Sequence, residues 1–362
     1  MVRLGRAGLL IATAVGAALV VLALLLSDPW EVAARLSAAN PYYVAAACLL
    51  DFASILFFAL AWVAAAKAAG VEIGVLDGIA ASILSLTADK LVASAAISGE
   101  LVRLVYVKRK SRAGYAEFLA TILVHRFLYN VAFVILLAVA LLDMALRSAL
   151  PRSVALVSVL AALSMALASY VLVRPESLGG LLRRVARYLD RLVAGVYAAQ
   201  LGLEERADAF ILSVARFVRS SWRRKHLMSL AVLLMLLQWV AGALELGALF
   251  RAVNSSADLW QLLVAFPLHC YLTALPVGIP AALGVTEAGT LAVLTALGVE
   301  RSVAMAVTIL VRFVEIWFEL MLGAVTAALA GAELLSFRRA LLEQVAVEVR
   351  VAEGARGAGG RG

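Results

Sequence analysis

The sequence predicts an all-α polytopic membrane protein with about six full transmembrane helices and two re-entrant helical hairpins in an inverted repeat. Three observations predict it. The 362 residues are 64% hydrophobic and only 15% charged, with a mean hydropathy of +1.00, whereas soluble domains are nearer half apolar and a quarter charged. Six apolar runs are long enough to cross a hydrocarbon core of about 30 Å at 1.5 Å per residue. Two more apolar runs are broken by helix interrupters, and loop charge requires each to enter and leave on one side.

In chain order, residues 9–26 follow Arg3 and Arg6 and resemble a signal peptide. The run is longer than an h-region, and Ser27-Asp28-Pro29 is no small-residue cleavage site, so a retained span is expected. Residues 43–66 form the second span, and 79–107 the first interrupted run, broken at Ser94, Ser98 and Gly99. Residues 116–142 and 153–173 are full spans. The polar segment 174–226 sets Leu181, Leu182, Val185, Tyr188, Leu189, Leu192 and Val196 opposite Arg183, Arg184, Arg187 and Arg191. That pattern suits an in-plane amphipathic helix or a short cytosolic hairpin. Residues 227–250 span again, 259–297 form the second interrupted run, and 303–332 the last span. The second break holds Pro276, Gly278, Pro280 and Gly284. One transmembrane domain, 1–336, is expected, with halves 1–173 and 227–336 around the cytoplasmic loop 174–226, and a cytoplasmic tail, 337–362, disordered at its end.

Basic residues mark the cytoplasmic side. The segment 27–42, with Asp28, Glu31 and Arg35, reads as external; the cluster Lys108, Arg109, Lys110 and Arg112, the Arg-rich loop and the tail read as cytoplasmic. Both termini are then inside, and the expected location is the plasma membrane. The first interrupted run starts and ends inside, the second outside, as in inverted-repeat transporters. Helical rise agrees: residues 79–93 and 259–275 give about 22 and 25 Å, and the return limbs 100–108 and 287–297 about 13 and 16 Å. An ordinary kinked helix is the alternative for each.

Composition excludes several classes. Net charge is +8, but the basic residues flank apolar spans, so no nucleic-acid partner is expected. Cys48 and Cys270 lie inside apolar runs, and His125, His226 and His269 form no ligand cluster with them, so no metal, disulfide or cofactor is expected. No soluble-enzyme motif occurs, and the longest polar segment leaves no room for a separate catalytic domain.

Ionisable residues at bilayer depth cost about 2.5–3.5 kcal/mol each and need a reason. They are Asp51, Glu100, Arg103, Arg126, Glu245, Glu287, Arg312, Glu315 and Glu319. Glu100 and Glu287 each follow a glycine-containing break and open a half-helix. There they either satisfy orphan N–H groups or line a polar cleft as a gate or cation site, with Asp51 as a third candidate. Arg103, Arg126 and Arg312 are candidate lipid-phosphate ligands, since a guanidinium binds phosphate in bidentate fashion. For Arg312 an ion pair with Glu315 and Glu319 on the same helix face is the competing reading. Arg126 has no local acid, so its partner is distant or a ligand, and Asp51 is one option. Glu245 is expected near water, and Trp62, Trp222 and Trp260 at the interfaces.

The pattern Ser98-Gly99-Glu100-x-x-Arg103, then Arg126, resembles the flippase-like transmembrane family typified by the membrane region of lysylphosphatidylglycerol synthases. So does Leu275-Pro276 followed by Gly284-Val285-Thr286-Glu287-Ala288, then Leu297-Gly298-Val299 and Arg312. The resemblance covers nearly the whole chain. Ala96-Ile97-Ser98 stands where the family usually has a proline, and Ala281-Ala282 where it usually has paired glycines. The resemblance implies a lipid-handling membrane domain that moves or presents lipids; the aminoacyl-transferring domain of the synthases is absent. The leading expectation is a non-enzymatic flippase-like transporter of an anionic or isoprenoid-phosphate lipid. The alternatives are a membrane glycosyltransferase using Asp28 or Glu31, and a non-catalytic partner of a separately encoded transferase.

Overall fold

The computed structural model describes residues 6–92, 97–108, 113–174, 180, 184, 203–275, 277 and 279–331. Among these residues every regular element is helical. Helix α1 (Arg6–Leu25) gives way through Ser27-Asp28 to α2 (Pro29–Ser37), bent by 86° from it. Asp28 takes a left-handed backbone (φ 54°) and its carboxylate accepts from the Glu31 amide at 3.3 Å, while Pro29 opens the new helix. The segment expected as a plain external loop is therefore partly helical. Arg35 of α2 binds Glu31 at 2.6 Å and Glu300 at 3.0 Å.

Helix α3 (Pro41–Ala69) is capped by Asn40, whose side chain accepts from the Tyr42 amide. Two shorter helices follow, α4 (Val75–Leu91) and α5 (Ile97–Lys108), packed side by side. Then come α6 (Tyr115–Leu146), α7 (Arg152–Val173), α8 (Leu203–Ser221) and α9 (Lys225–Ala252). A second short pair is α10 (Leu259–Thr273) and α11 (Val285–Ala296), joined through a single 3₁₀ turn at Pro280–Ala282. Helix α12 (Arg301–Arg312) runs into a π-helical segment, Phe313–Phe318, and the chain stays helical over 319–331.

Four of these helices, α3, α6, α7 and α9, are long and apolar enough to cross a bilayer. The protein is thus an all-α polytopic membrane protein, with α1–α2 as one sharply bent apolar pair. The last expected span is interrupted by the π segment. Helices α4, α5, α10 and α11, with 17, 12, 15 and 12 residues, reach about 25, 18, 22 and 18 Å, all short of the hydrocarbon thickness.

The centre is the α3–α9 pair, packed along its length. Ala47, Ala59, Ala61 and Ala65 of α3 and Ala231 and Ala243 of α9 are fully buried, so the backbones approach closely, as small residues permit in membranes. Trp239 fills the space beside them against Tyr129, Phe133 and Phe266. The opposite condition holds on α7, where Leu156, Leu160, Leu163 and Leu167 form an exposed stripe suited to acyl chains. Ile211, Val214, Ala215 and Val218 give α8 a buried apolar face against α3 and α6. The leucine–arginine pattern read at 181–196 lies outside the described residues except at Arg184, as do Pro276, Gly278 and the tail from 332 onward.

Candidate functional site

Two glutamate–arginine pairs share one arrangement. Glu100, in the first turn of α5, accepts from Arg126 Nε of α6 through Oε1 at 2.5 Å. Glu287, in the first turn of α11, accepts from Arg312 Nε of α12 through Oε1 at 2.8 Å. The sequence separations are 26 and 25 residues. In each case a carboxylate at a short helix's N-terminus, where the helix dipole favours it, is tied to the next long helix by the same pair of atoms.

Around the first pair, the Asp89 carboxylate accepts from the Gly99 amide at 2.7 Å and from the Ser98 hydroxyl at 3.0 Å, stapling α4 to α5. Gly99, expected in the break, lies inside the first turn of α5, and a Cβ there would collide with the Asp89 carboxylate and the Ser85 carbonyl. Its role is close helix approach. Arg103 is fully buried, with its guanidinium 4.6 Å from the Trp62 ring and 5.0 Å from Phe58. Its Nη1 also lies 3.4 Å from Glu100 and 3.3 Å from His125 Nδ1. His125 Nε2 sits 2.9 Å from the Phe58 carbonyl, which can only accept. The proton is therefore on Nε2, and Nδ1 is free to accept from Arg103.

Around the second pair, Glu287 Oε2 also accepts from the Gly284 amide at 2.5 Å. Arg312 Nη2 donates to the Ala281 carbonyl at 2.7 Å. Ala281 and Ala282 both hold left-handed backbone, φ 51° and 48°, at the positions where paired glycines are usual in the resembled family. Gly284 needs its own freedom, since its φ is +86° and a Cβ would strike the backbone of Gly16 in α1. Arg312 thus donates to Glu287 and the turn through Nε and Nη2, and its Nη1 forms a longer ion pair with Glu315 at 3.8 Å. Of the two local acids expected to hold it, Glu315 does so and Glu319 turns elsewhere, past the π segment that interrupts the helical spacing.

Glu315 instead accepts from His269 Nε2 at 2.9 Å, and His269 Nδ1 meets the Thr290 hydroxyl at 2.7 Å. Glu319 pairs with Lys90 of α4 at 3.2 Å. Between these groups lies a cavity of about 200 Å³ with Asp51, Asp89, Lys90, Arg126, Glu315 and Glu319 in its wall. Of the charged residues singled out in the sequence, Asp51, Arg126, Glu315 and Glu319 border it, together with Pro280's neighbours Ile279, Ala281 and Ala282. Arg103, Glu100, Glu287 and Arg312 stand behind the wall.

Three expectations are corrected. Asp51 does not pair with Arg126, which Glu100 has taken, and its Oδ2 finds no donor among the described residues. Glu245 is 1% exposed and faces the interior, because α9 is the central helix at that level. Trp62 is fully buried, donating to Thr121 at 3.0 Å and covering Arg103, so it is no interfacial anchor. Sequence reading missed His125, His269, Lys90 and Asp89. Their partners lie 22 to 229 positions away or in a neighbouring helix end, and the one available signal was their presence within apolar runs. Asp28 and Glu31 are engaged in the α2 cap and with Arg35.

The profile of the lysylphosphatidylglycerol synthase TM region matches residues 9–323. The chain belongs to this family. It is similar to a UPF0104 membrane protein of Pyrococcus horikoshii, 23% identical over 292 residues, covering 78% of this chain and 85% of the relative. It is also similar to a UPF0104 membrane protein of Methanothermobacter thermautotrophicus, 24% identical over 299 residues, covering 81% and 87%. Membership makes this a flippase-like integral membrane protein. Among the described residues no group of three or more His, Cys, Asp or Glu side chains is placed to hold a metal ion.

Proposed function

We propose that the chain translocates a lipid whose headgroup phosphate enters the central cavity and meets Arg126. Family membership supports a lipid-related role. The observation that carries the site is that Arg126 alone of the three candidate arginines reaches the cavity wall, with 26% of its side chain open. Arg103 is sealed between aromatic rings and Arg312 is held by Glu287, so both act as braces in this reading. Glu100 then sets the orientation of the Arg126 guanidinium and leaves its outer N–H groups for a phosphate of an anionic or isoprenoid-phosphate lipid.

The matched Glu100–Arg126 and Glu287–Arg312 pairs support an inverted repeat in which α4–α5 and α10–α11 enter from opposite faces and turn back. Six spans, with both termini in the cytoplasm of a plasma-membrane protein, complete the arrangement, and loop charge supports it. A buried polar path at mid-bilayer is where backbone breaks are tolerated. Alternating exposure of the cavity would carry the headgroup across.

The test is R126A in proteoliposomes containing a fluorophore-tagged anionic lipid, with leaflet exposure read by chemical quenching. Translocation is expected to fall at least about tenfold while the variant still elutes as a monodisperse protein. Full activity in R126A rejects the phosphate contact.

A further inference from the structure

The cavity wall sets four acids, Asp51, Asp89, Glu315 and Glu319, against two bases, Lys90 and Arg126. Most of these charges are already matched. Arg126 belongs to Glu100, Glu315 to His269, and Asp89 to the amide and hydroxyl at the start of α5. Lys90 reaches Glu319 through one oxygen only. What is left is a shortage of donors. Asp51 Oδ2 and Glu319 Oε2 have no hydrogen-bond donor among the described residues, and Glu245 Oε1 and Gln238 Oε1, from the neighbouring α9, share that condition. Asp51 and Glu319 are each 6% exposed, and both line the cavity.

A buried acceptor without a donor is costly, and an unmatched buried carboxylate far more so. A proton on a carboxyl removes both faults, because it cancels the charge and turns one oxygen into an O–H donor. A metal ion would need several converging oxygens, an arrangement not found among the described acids. We propose that Asp51 and Glu319, with Glu245 behind them, are a proton-carrying site that exchanges with the cavity. In one state a carboxyl holds the proton. In the other the proton has left to water in the cavity, and the Lys90 ammonium faces the carboxylate. The charged or titratable groups around Asp51 are Cys48 on its own helix, Lys90 from α4, Glu245 from α9, and Glu315 and Glu319 from the last helix, with Asp89 of α4, Arg126 and Tyr129 of α6 and Cys270 of α10 also in the cavity wall. Coupling of this exchange to lipid movement rests on the translocator reading; the proton site itself does not.

The experiment is infrared difference titration of the full chain in nanodiscs, following the C=O stretch of protonated carboxyls above the pH where exposed acids have ionised, about 6. The wild-type protein is expected to show such a band that disappears as pH rises. D51N and E319Q, on different helices, are each expected to remove part of it, and the double variant most of it; size-exclusion profiles verify folding of each. An unchanged band in both variants overturns the proposal. A wild-type band that moves when sodium chloride is exchanged for choline chloride also overturns it, since the ligand would then be a metal cation. A titrating band in a protein that moves no tagged lipid sustains the proton site and counts against the translocator reading alone.

Discussion

Lys90, near the end of α4, reaches Glu319 in the last helix at 3.2 Å and so ties the first short-helix pair to the element that closes the second. Both side chains are largely buried, at 15% and 8% exposure. Removing one partner strands a charge. Lys90→Met is expected to lower stability by about 3 kcal/mol, and K90M/E319L to recover most of that loss. Thermal unfolding in detergent, followed by intrinsic fluorescence, measures both; equal losses in the single and double variants would contradict the pairing.

Glu287 serves the Gly284 amide and Arg312, and Glu100 serves Arg126 at the cavity edge and the buried Arg103. Glu287→Ala therefore leaves a buried guanidinium and an open helix end, and is expected to cost about 3–5 kcal/mol. Glu100→Ala likewise leaves the fully buried Arg103 without its carboxylate and is expected to cost a similar amount, about 3–5 kcal/mol. Melting temperatures of the two variants, measured side by side, check both losses.

Gly284→Ala meets two obstacles, a left-handed backbone and the carbonyl of Gly16. A loss of at least about 2 kcal/mol is expected. The fraction eluting as folded protein after mild heating reads it.

Ala281→Gly should act in the other direction. Alanine at φ 51° bears strain of about 1–2 kcal/mol that glycine escapes; greater freedom of the unfolded chain offsets part of it. A net gain of about 0.5–1 kcal/mol is expected, seen as a higher unfolding temperature.

At the start of α12, the Ser302 hydroxyl, and after it Arg35, hold the Glu300 carboxyl below its ordinary value of 4.5. A carboxyl lowered in the folded state contributes stability above that ordinary value and loses it as pH falls through the folded value. Docking of α2 on α12 should therefore loosen below pH 4.5, and less so in E300Q. Hydrogen-exchange protection of the α2 amides, corrected for intrinsic rate, checks this.

The membrane class, four of the spans and the two broken segments were legible because their cause is local: unbroken apolar length on one hand, Gly284 and Pro280 on the other. The Glu–Arg pairs were half legible. Glu100, Glu287, Arg126 and Arg312 stood out as charges at depth, but which acid takes which arginine depends on how α5 lies on α6 and α11 on α12. Asp51 against Arg126 was a fair guess from depth alone, and packing overruled it. The pairing of Glu319 with Lys90 was out of reach, since 229 residues separate them. Trp62 misled for a related reason: tryptophan near a span end suits an interface, and nothing in its neighbourhood announces the Arg103 it covers. The segment after α1 was read as an external loop, and the helix that follows Ser27-Asp28-Pro29 was not anticipated.

The main-chain contact between Gly16 and Gly284 makes the first helix a structural strap. A turn carrying three unusual backbone conformations within four residues, at 281, 282 and 284, would otherwise show its peptide dipoles to acyl chains. Deleting α1, or displacing it with a bulky N-terminal fusion, would bare that seam to the oily phase, so tags for purification belong at the other terminus.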